Sequence, residues 1–334
     1  MISIVCPFYN EELIIEGSVK RMLENLGSLP EEWELIVVND GSKDKSLAIV
    51  RELEKDEKRL KVITYVGNRG RGYAIRQGVQ VARGDLVITT EIDSSWGDDI
   101  VQRIIREFQK HPDADIIVAS PHLPGGGYKN VPSSRVFLTT MGNYIIQSGL
   151  TYKVTMNTGM TRGYKRAKFL ALPLDEDEKE MHLEIINKAT AFNYKIYEIP
   201  AVIEWQDHKF TQGKGKRKSS ANINKLIRTH MLFSILAAPF RYLYVVSALF
   251  FLMAAILFIW SFINLVTHNI SIYLFLSSLL VGIFGFLIFG IGVLAQQGRA
   301  LQREMWRIRS ELRQNNLSTQ TQQQDSSPDS THLD

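Results

Sequence analysis

Between Tyr242 and Val266, and again between Ile272 and Ala295, the chain carries no Asp, Glu, Lys or Arg. A helix of about 20 apolar residues crosses a hydrocarbon layer of about 30 Å, and each run is long enough. Lipid offers no partner to backbone N–H and C=O groups, so such runs must be helical. The link from Thr267 to Ser271 leaves room only for a hairpin tip. Basic residues crowd both outer flanks: Lys209, Lys214, Lys216, Arg217, Lys218, Lys225, Arg228 and Arg241 before the first run, and Arg299, Arg303, Arg307, Arg309 and Arg313 after the second. This distribution predicts that both flanks face the cytoplasm. Topology alone accounts for most of these charges, and it leaves open whether some also bind phosphate.

The N-terminal part has a different character. Its opening, MISIVCPFYN, has neither the basic region nor the long apolar core of a signal peptide. A cytoplasmic domain on an inner or plasma membrane is therefore expected. Cys6 is the single cysteine and excludes a disulfide within the chain. A 45% hydrophobic share of 334 residues is ample for a core. The net charge of +4, without interleaved aromatic and basic residues, points to anionic lipid rather than nucleic acid.

Strand and helix patterns alternate through this part. ISIVCPFY, WELIVVNDGS, LKVITYV and GDLVITTEID read as strands, and EELIIEGSVKRMLENL, SLAIVRELEKD and GRGYAIRQGVQVAR as helices. The alternation predicts an α/β domain with a parallel sheet and right-handed crossovers. Ligands bind outside the carboxyl ends of such strands. Those ends carry Asn10 and Glu11, then Asp40, then Asn68 and Arg69, then Glu91 and Asp93.

Two carboxylates two residues apart, just past a strand, can present oxygens to one hard cation, and Mg²⁺ or Mn²⁺ held this way bridges substrate phosphates. Helix capping is the competing explanation. It suits Asp98, just before DDIVQRIIREF, and does not suit Glu91, a weak cap that lies too early. GNRGRGYA either cradles phosphate before a helix N-terminus or makes a turn that requires two glycines. Cys6, Met22 and Trp33 read as packing, and His111 and His122 as loop residues without a second ligand at metal spacing. SPHLPGGGYKNVPSS is expected to be a mobile loop, NNLSTQTQQQDSSPDSTHLD a disordered tail, and the stretch from Ile223 to Phe240 an interfacial amphipathic helix.

VCPFYNEE, LIVVNDGSKDKS, NRGRGYAIRQGVQVARGD and TTEID, in this order, resemble the nucleotide-sugar-dependent inverting glycosyltransferases of family 2, which have the GT-A fold. MNTGMTRGYKRAKF is similar to the Thr-Gly-x-x-Arg-x-Tyr-Arg segment of dolichyl-phosphate mannose synthases and bacterial polyprenyl-phosphate glycosyltransferases. HLEIINKATAFNYKIYEIPAVIEWQDHKFTQGKGKRK follows their approach to an Asp-Arg-x-x-Gly-x-Ser-Lys segment, and LAAPFRYL with two spans resembles their C-terminal portion. The expected organisation is a Rossmann-like GT-A domain of mostly parallel sheet over residues 1–208 and interfacial helices over 209–241. Spans at 242–266 and 272–295, a basic cytoplasmic helix over 296–314 and a tail over 315–334 follow.

The resemblance also implies roles. Pro7, Tyr9, Glu11 and Asp40 fall on positions that hold the nucleoside, with Asp40 at base or ribose, and Arg71 lies near the base or diphosphate. Glu91 and Asp93 stand at the ends of an Asp-x-Asp metal motif, with Glu replacing the first Asp and Ser95 two positions beyond the second. Asp207 and His208 replace the Asp-Arg pair. Arg162 is implied as a catalytic residue and acceptor-phosphate contact, joined by Arg135, Lys209 and Lys216, and Glu184 as a helix residue facing the site. The implied cofactor is Mg²⁺ or Mn²⁺.

The implied reaction moves a sugar from a UDP- or GDP-linked donor to undecaprenyl or dolichyl phosphate with inversion. The departing diphosphate needs cations, and the sugar carbon becomes oxocarbenium-like. A lipid phosphate with a second pKa of about 6 is already mostly dianionic and needs Arg or Lys rather than a general base. Gly282, Gly285, Gly290 and Gly292 punctuate the second span and permit close helix approach, so a homo-oligomer, up to a tetramer, is expected. Two other classes stay open. One is a glycan-extruding synthase, against which stand the absence of Gln-x-x-Arg-Trp and the count of two spans. The other is a binding protein in which Glu91 has ended metal use. A channel is disfavoured because the spans hold no charge to mark a pathway.

Overall fold

The computed structural model describes residues 1–133, 136, 140–141, 154–204, 239–267 and 272–325. Strand β1 (Ile2–Phe8) leads into helix α1 (Ile15–Gly27), β2 (Trp33–Asn39), α2 (Ser46–Asp56), β3 (Leu60–Thr64), α3 (Arg71–Val81) and β4 (Leu86–Thr89). The β1–β2, β1–β4 and β2–β3 pairs are all parallel. β2 is buried at every position. Both faces of a parallel sheet are covered, which is why WELIVVN reads as a continuous rather than an alternating apolar run. α1 packs on α2, and α3 on β1 and β2.

After β4 the pattern changes. α4 (Ile100–Lys110), β5 (Ile116–Ser120) and the short β6 (Gly127–Lys129) are followed by β7 (Arg162–Lys165), α5 (Arg166–Ala171), α6 (Met181–Ala191), β8 (Ile196–Pro200) and β9 (Val202–Glu204). β7 enters antiparallel between β4 and β5, and β8 lies parallel to β5. The seven-stranded order is β3-β2-β1-β4-β7-β5-β8, mostly parallel as expected. The consecutive neighbours β3, β2, β1 and β4 place the four predicted strand ends along one edge.

Two local expectations need correction. Asp98 does not cap α4: the capping position is Asp99, without a side-chain bond, and Asp98 accepts from Arg21 Nε at 3.1 Å. The stretch expected to be a mobile loop is tied down in part, because β6 pairs with β9 and Lys129 lies 2.9 Å from Glu204.

The apolar runs form a separate compact unit. Helix α7 (Pro239–Val266) and the first part of α8 (Ile272–Asp325) are long and apolar enough to cross a membrane. Leu249, Trp260 and Phe286 are 59%, 55% and 69% exposed, a surface that belongs in lipid rather than water. Ser247 Oγ donates to the Gly285 carbonyl at 2.9 Å and Tyr244 Oη to Gln296 Oε1 at 2.7 Å, so the two segments run antiparallel. A Cβ on Gly292 would lie 2.8 Å from the Tyr244 ring, whereas one on Gly290 would meet nothing within 4 Å. α8 continues without a break to Asp325, through the basic segment and into the stretch expected to be disordered. Apart from Pro239 and Phe240, the expected amphipathic helix lies outside the described residues.

Candidate active site at the carboxyl edge of the sheet

Asp40 follows directly on β2 and is 4% exposed. Its Oδ1 accepts from Tyr65 Oη at 2.8 Å and from the Arg69 N–H at 2.8 Å, and its Oδ2 accepts from the Gly70 N–H at 3.1 Å. The Asp40 carboxylate thus ties the loop after β3 to the end of β2. Burial, then the bond to Asp40, pushes the Tyr65 hydroxyl pKa well up and keeps it a donor. Gly41 follows at φ +68°, and a Cβ there would lie 2.3 Å from the Gly67 backbone, so the turns after β2 and β3 touch main chain to main chain.

Pro7 lies in β1, opposite Val38. Beyond it Tyr9 is 38% exposed, and Asn10 adopts a left-handed φ of 53°. Asn10 Oδ1 accepts the Lys43 N–H at 2.8 Å, and the Glu11 N–H donates to Ser46 Oγ at 2.8 Å. These bonds lock the turn after β1 to the turn after β2. Tyr9 and Glu11 thus stand beside the turn after β2.

Glu91 and Asp93 come together past β4. Ser95 joins them: its Oγ donates to Glu91 Oε2 at 2.7 Å and its N–H to Asp93 Oδ1 at 3.1 Å. The residue between, Ser94, is held at φ 54°, a conformation that costs energy outside glycine and recurs at functional turns. Arg71, the first residue of α3, brings NH1 to 3.7 Å from Glu91 Oε1, and its side chain is 48% exposed. Both carboxylates are half-buried. Two carboxylates, a bridging serine and one half-exposed guanidinium can hold a hard cation beside a phosphate.

Arg162 lies in the core. It is 0% exposed, NH1 donates to the His182 carbonyl at 2.9 Å, and NH2 donates to the Asn157 and Met156 carbonyls at 2.7 and 3.4 Å. Its two terminal nitrogens are thus engaged by three backbone carbonyls, while Nε has no hydrogen-bond partner among the described residues. His182 beside it is 1% exposed, with neither ring nitrogen hydrogen-bonded. Burial, then the charges of Arg162 and Arg71, hold its pKa well below the usual imidazole range. Glu184 accepts from the Asp175 and Glu176 N–H groups. Arg135, Lys209 and Lys216, with Asp207 and His208, lie outside the described residues. Sequence reasoning missed Tyr65 and the acidic segment at Asp177. The run LDEDEKE carried the signal for the latter, since four consecutive acids need cations nearby.

Residues 3–172, about half of the chain, match glycosyl transferase family 2. YkcC, an uncharacterised glycosyltransferase of Bacillus subtilis (strain 168), is 35% identical over 108 residues, which are 32% of this chain and 33% of that protein. An undecaprenyl-phosphate 4-deoxy-4-formamido-L-arabinose transferase of Shewanella sediminis (strain HAW-EB3) is 25% identical over 248 residues, 74% of this chain and 70% of that one. The match thus spans about a third of one relative and over two thirds of the other. Among solved structures, glucosyl-3-phosphoglycerate synthase from Mycobacterium tuberculosis, in complex with Mn²⁺, UDP and glucosyl-3-phosphoglycerate, aligns at a TM-score of 0.52 and 15% identity, over 71% of this chain and 79% of that one. That likeness gives the GT-A fold, and the family match over half of its length makes this chain a member of glycosyl transferase family 2.

Proposed function

We propose that the protein transfers a sugar, with inversion, from a UDP- or GDP-linked donor to a polyprenyl phosphate, from the cytoplasmic face of an inner or plasma membrane. The observation that carries this reading is the meeting of Glu91, Asp93 and Arg71 at the sheet edge, in a chain that also holds two membrane-length helices. The likeness to the Shewanella relative, an undecaprenyl-phosphate sugar transferase, supports it.

The donor set fits Mg²⁺ or Mn²⁺. Ser95 takes one oxygen of Glu91 and one of Asp93, which leaves a second hard oxygen on each. Bound there, the ion would neutralise charge on the departing diphosphate. Arg71 adds a second cation beside Glu91, Asp40 shapes the loop from which Arg71 projects, and Tyr9 and Glu11 border the nucleoside position. No general base is required for an acceptor phosphate that arrives ionised. The phosphate contacts assigned to Arg135, Lys209 and Lys216 and the homo-oligomer expected from the span glycines belong to the same proposal.

The test is incubation of the purified full chain with UDP- and GDP-sugars and a short polyprenyl phosphate. Release of nucleoside diphosphate must require both substrates and a divalent ion, and the lipid-linked product must have the anomeric configuration opposite to the donor's. Growing glycan chains would replace this reading with a polymerising synthase. Tight nucleotide binding without turnover would replace it with a binding protein.

A further inference from the structure

The acidic run from Asp175 to Glu178 joins α5 to α6 and lies against the turn that begins α3. Four consecutive like charges repel one another and by themselves favour an open, solvated loop. Here the run is folded tightly. Glu184, whose side chain is 10% exposed, accepts from the Asp175 and Glu176 N–H groups at 2.9 and 3.0 Å. The Asp177 carbonyl accepts the Tyr73 N–H at 2.9 Å, and Arg76 reaches both the Glu176 carbonyl and the Asp177 carboxylate. A Cβ on Gly70 or Gly72 would lie 2.6 or 2.8 Å from the Asp177 carbonyl oxygen, and Gly70 itself sits at φ +94°. Any displacement of Asp177 therefore moves the turn that carries Arg71.

The other side of the run is held by Lys188. It is 3% exposed, and its Nζ donates to Glu184 Oε1 at 2.6 Å, to Asp175 Oδ2 at 3.2 Å and to the Pro173 carbonyl. A cation this deep is tolerated only when fully partnered. Its remaining face meets the Trp306 ring, with the centroid 5.1 Å from Nζ, inside cation–π range. One turn further along α8, Arg309 NH1 lies 3.8 Å from Asp175 Oδ2, and one more turn on, Arg313 NH1 donates to the Leu172 carbonyl at 2.8 Å. Spacings of three and four put these side chains on one face of the helix. From Trp306 onward α8 belongs to the same compact unit as the catalytic sheet. The Arg309–Asp175 pair is exposed on both sides and adds little by itself. Trp306 and Arg313 are the anchors.

We propose that Trp306 and Arg313, assisted by Arg309, are positioning residues for donor binding: they close over Lys188 and Leu172 and press the acidic run against Gly70, Gly72 and Tyr73. This rests on the reading that the α3 edge holds the donor diphosphate. The segment after the second apolar run is thus a working part of the catalytic unit. Its expected effect is on donor affinity, because the acidic run packs against Gly70 and Gly72, on either side of Arg71.

The test compares full-length parent with Trp306→Ala/Arg313→Ala, in detergent, by titration with UDP and with GDP in the presence of Mn²⁺ and by steady-state kinetics. Loss of these outer contacts is expected to weaken diphosphate binding and raise donor KM by about tenfold, the scale seen when a supporting partner is removed. Acceptor KM and kcat should stay within about twofold, and Trp306→Phe should restore donor affinity. Arg309→Glu, a surface change that folding tolerates, should give a smaller rise in the same constant. A parent that binds neither diphosphate would overturn the donor-edge reading itself. A parent that binds normally, beside variants with unchanged diphosphate affinity or with losses in kcat instead, would overturn the positioning role alone.

Discussion

One sheet handles two glutamates in opposite ways at its two ends. At the amino edge Glu34 of β2 is 1% exposed and saturated, accepting from Ser3 Oγ and the Arg83 N–H at 2.6 Å each and from Arg83 Nε at 3.0 Å. Burial alone would raise its carboxyl pKa, and these bonds outweigh that and hold it below the usual carboxylate range. At the carboxyl edge Glu91 is half-buried, shares one oxygen with Ser95 and faces Arg71 only at 3.7 Å. The same contrast separates the arginines. Arg162 gives its terminal nitrogens to three carbonyls, while among the described residues Arg71 has one long contact. Charge that is fully partnered within the fold stabilises it. Charge left with spare capacity at a strand end is available to a ligand.

The sharpest way to break this comparison is Arg162→Met. Three buried carbonyls would lose a charged donor, and a loss of roughly 3–5 kcal/mol in unfolding free energy is expected, read by denaturant or thermal melts. Retained stability with lost acceptor binding would instead support the acceptor-phosphate role of Arg162. Asp93→Asn should do the reverse, lowering kcat by about 10²–10³-fold with an unchanged melt, because a hard cation loses an anionic ligand.

A matched pair tests the two glutamates directly. Glu34→Gln should cost about 1–3 kcal/mol of stability and leave kcat alone, since the amide cannot satisfy Arg83. Glu91→Gln should leave stability alone and reduce activity by about tenfold, while Glu91→Asp keeps or raises it. If both variants fail in the same assay, the two ends do not differ in the way described.

The smallest expected effect is in pH dependence. His182 is held neutral in the fold, with its pKa well below the 6.5 of the exposed group. Below about pH 6.5 the unfolded chain therefore binds a proton that the folded chain refuses. Stability is fully present above that pH and falls as the medium is acidified, with a limiting slope of about 1.4 kcal/mol per pH unit. His182→Gln should flatten this limb, and an unchanged acid limb would show that the imidazole is protonated in the native state.

The carboxyl-edge site was legible in the sequence because its determinants are local. Strand ends are marked by apolar runs that stop at Asn10, Asp40 and Glu91, and parallel topology alone brings such ends to one edge. The internal partners of Arg162 and Asp40 were not legible. Whether an arginine or aspartate is spent on the fold depends on which carbonyls and N–H groups reach it, and the partners of Arg162 come from a loop and from α6, a helix some twenty residues away in sequence. For Asp40 the partners lie in the loop after β3.

By itself, the order of apolar runs, helical repeats and terminal acids determined the mostly parallel sheet, the edge that carries Glu91 and Asp93, and the two membrane-length helices. Periodicity and length act within a window of ten to twenty residues, so they survive translation into any fold consistent with them. Tertiary structure alone decided the rest. It inserted the four-residue β7 antiparallel between β4 and β5, turned Arg162 inward, and set Trp306 on a lysine more than a hundred residues earlier. Burial and hydrogen bonding between distant segments decide whether a charge is structural or available, and that pairing exists only once the chain has closed on itself.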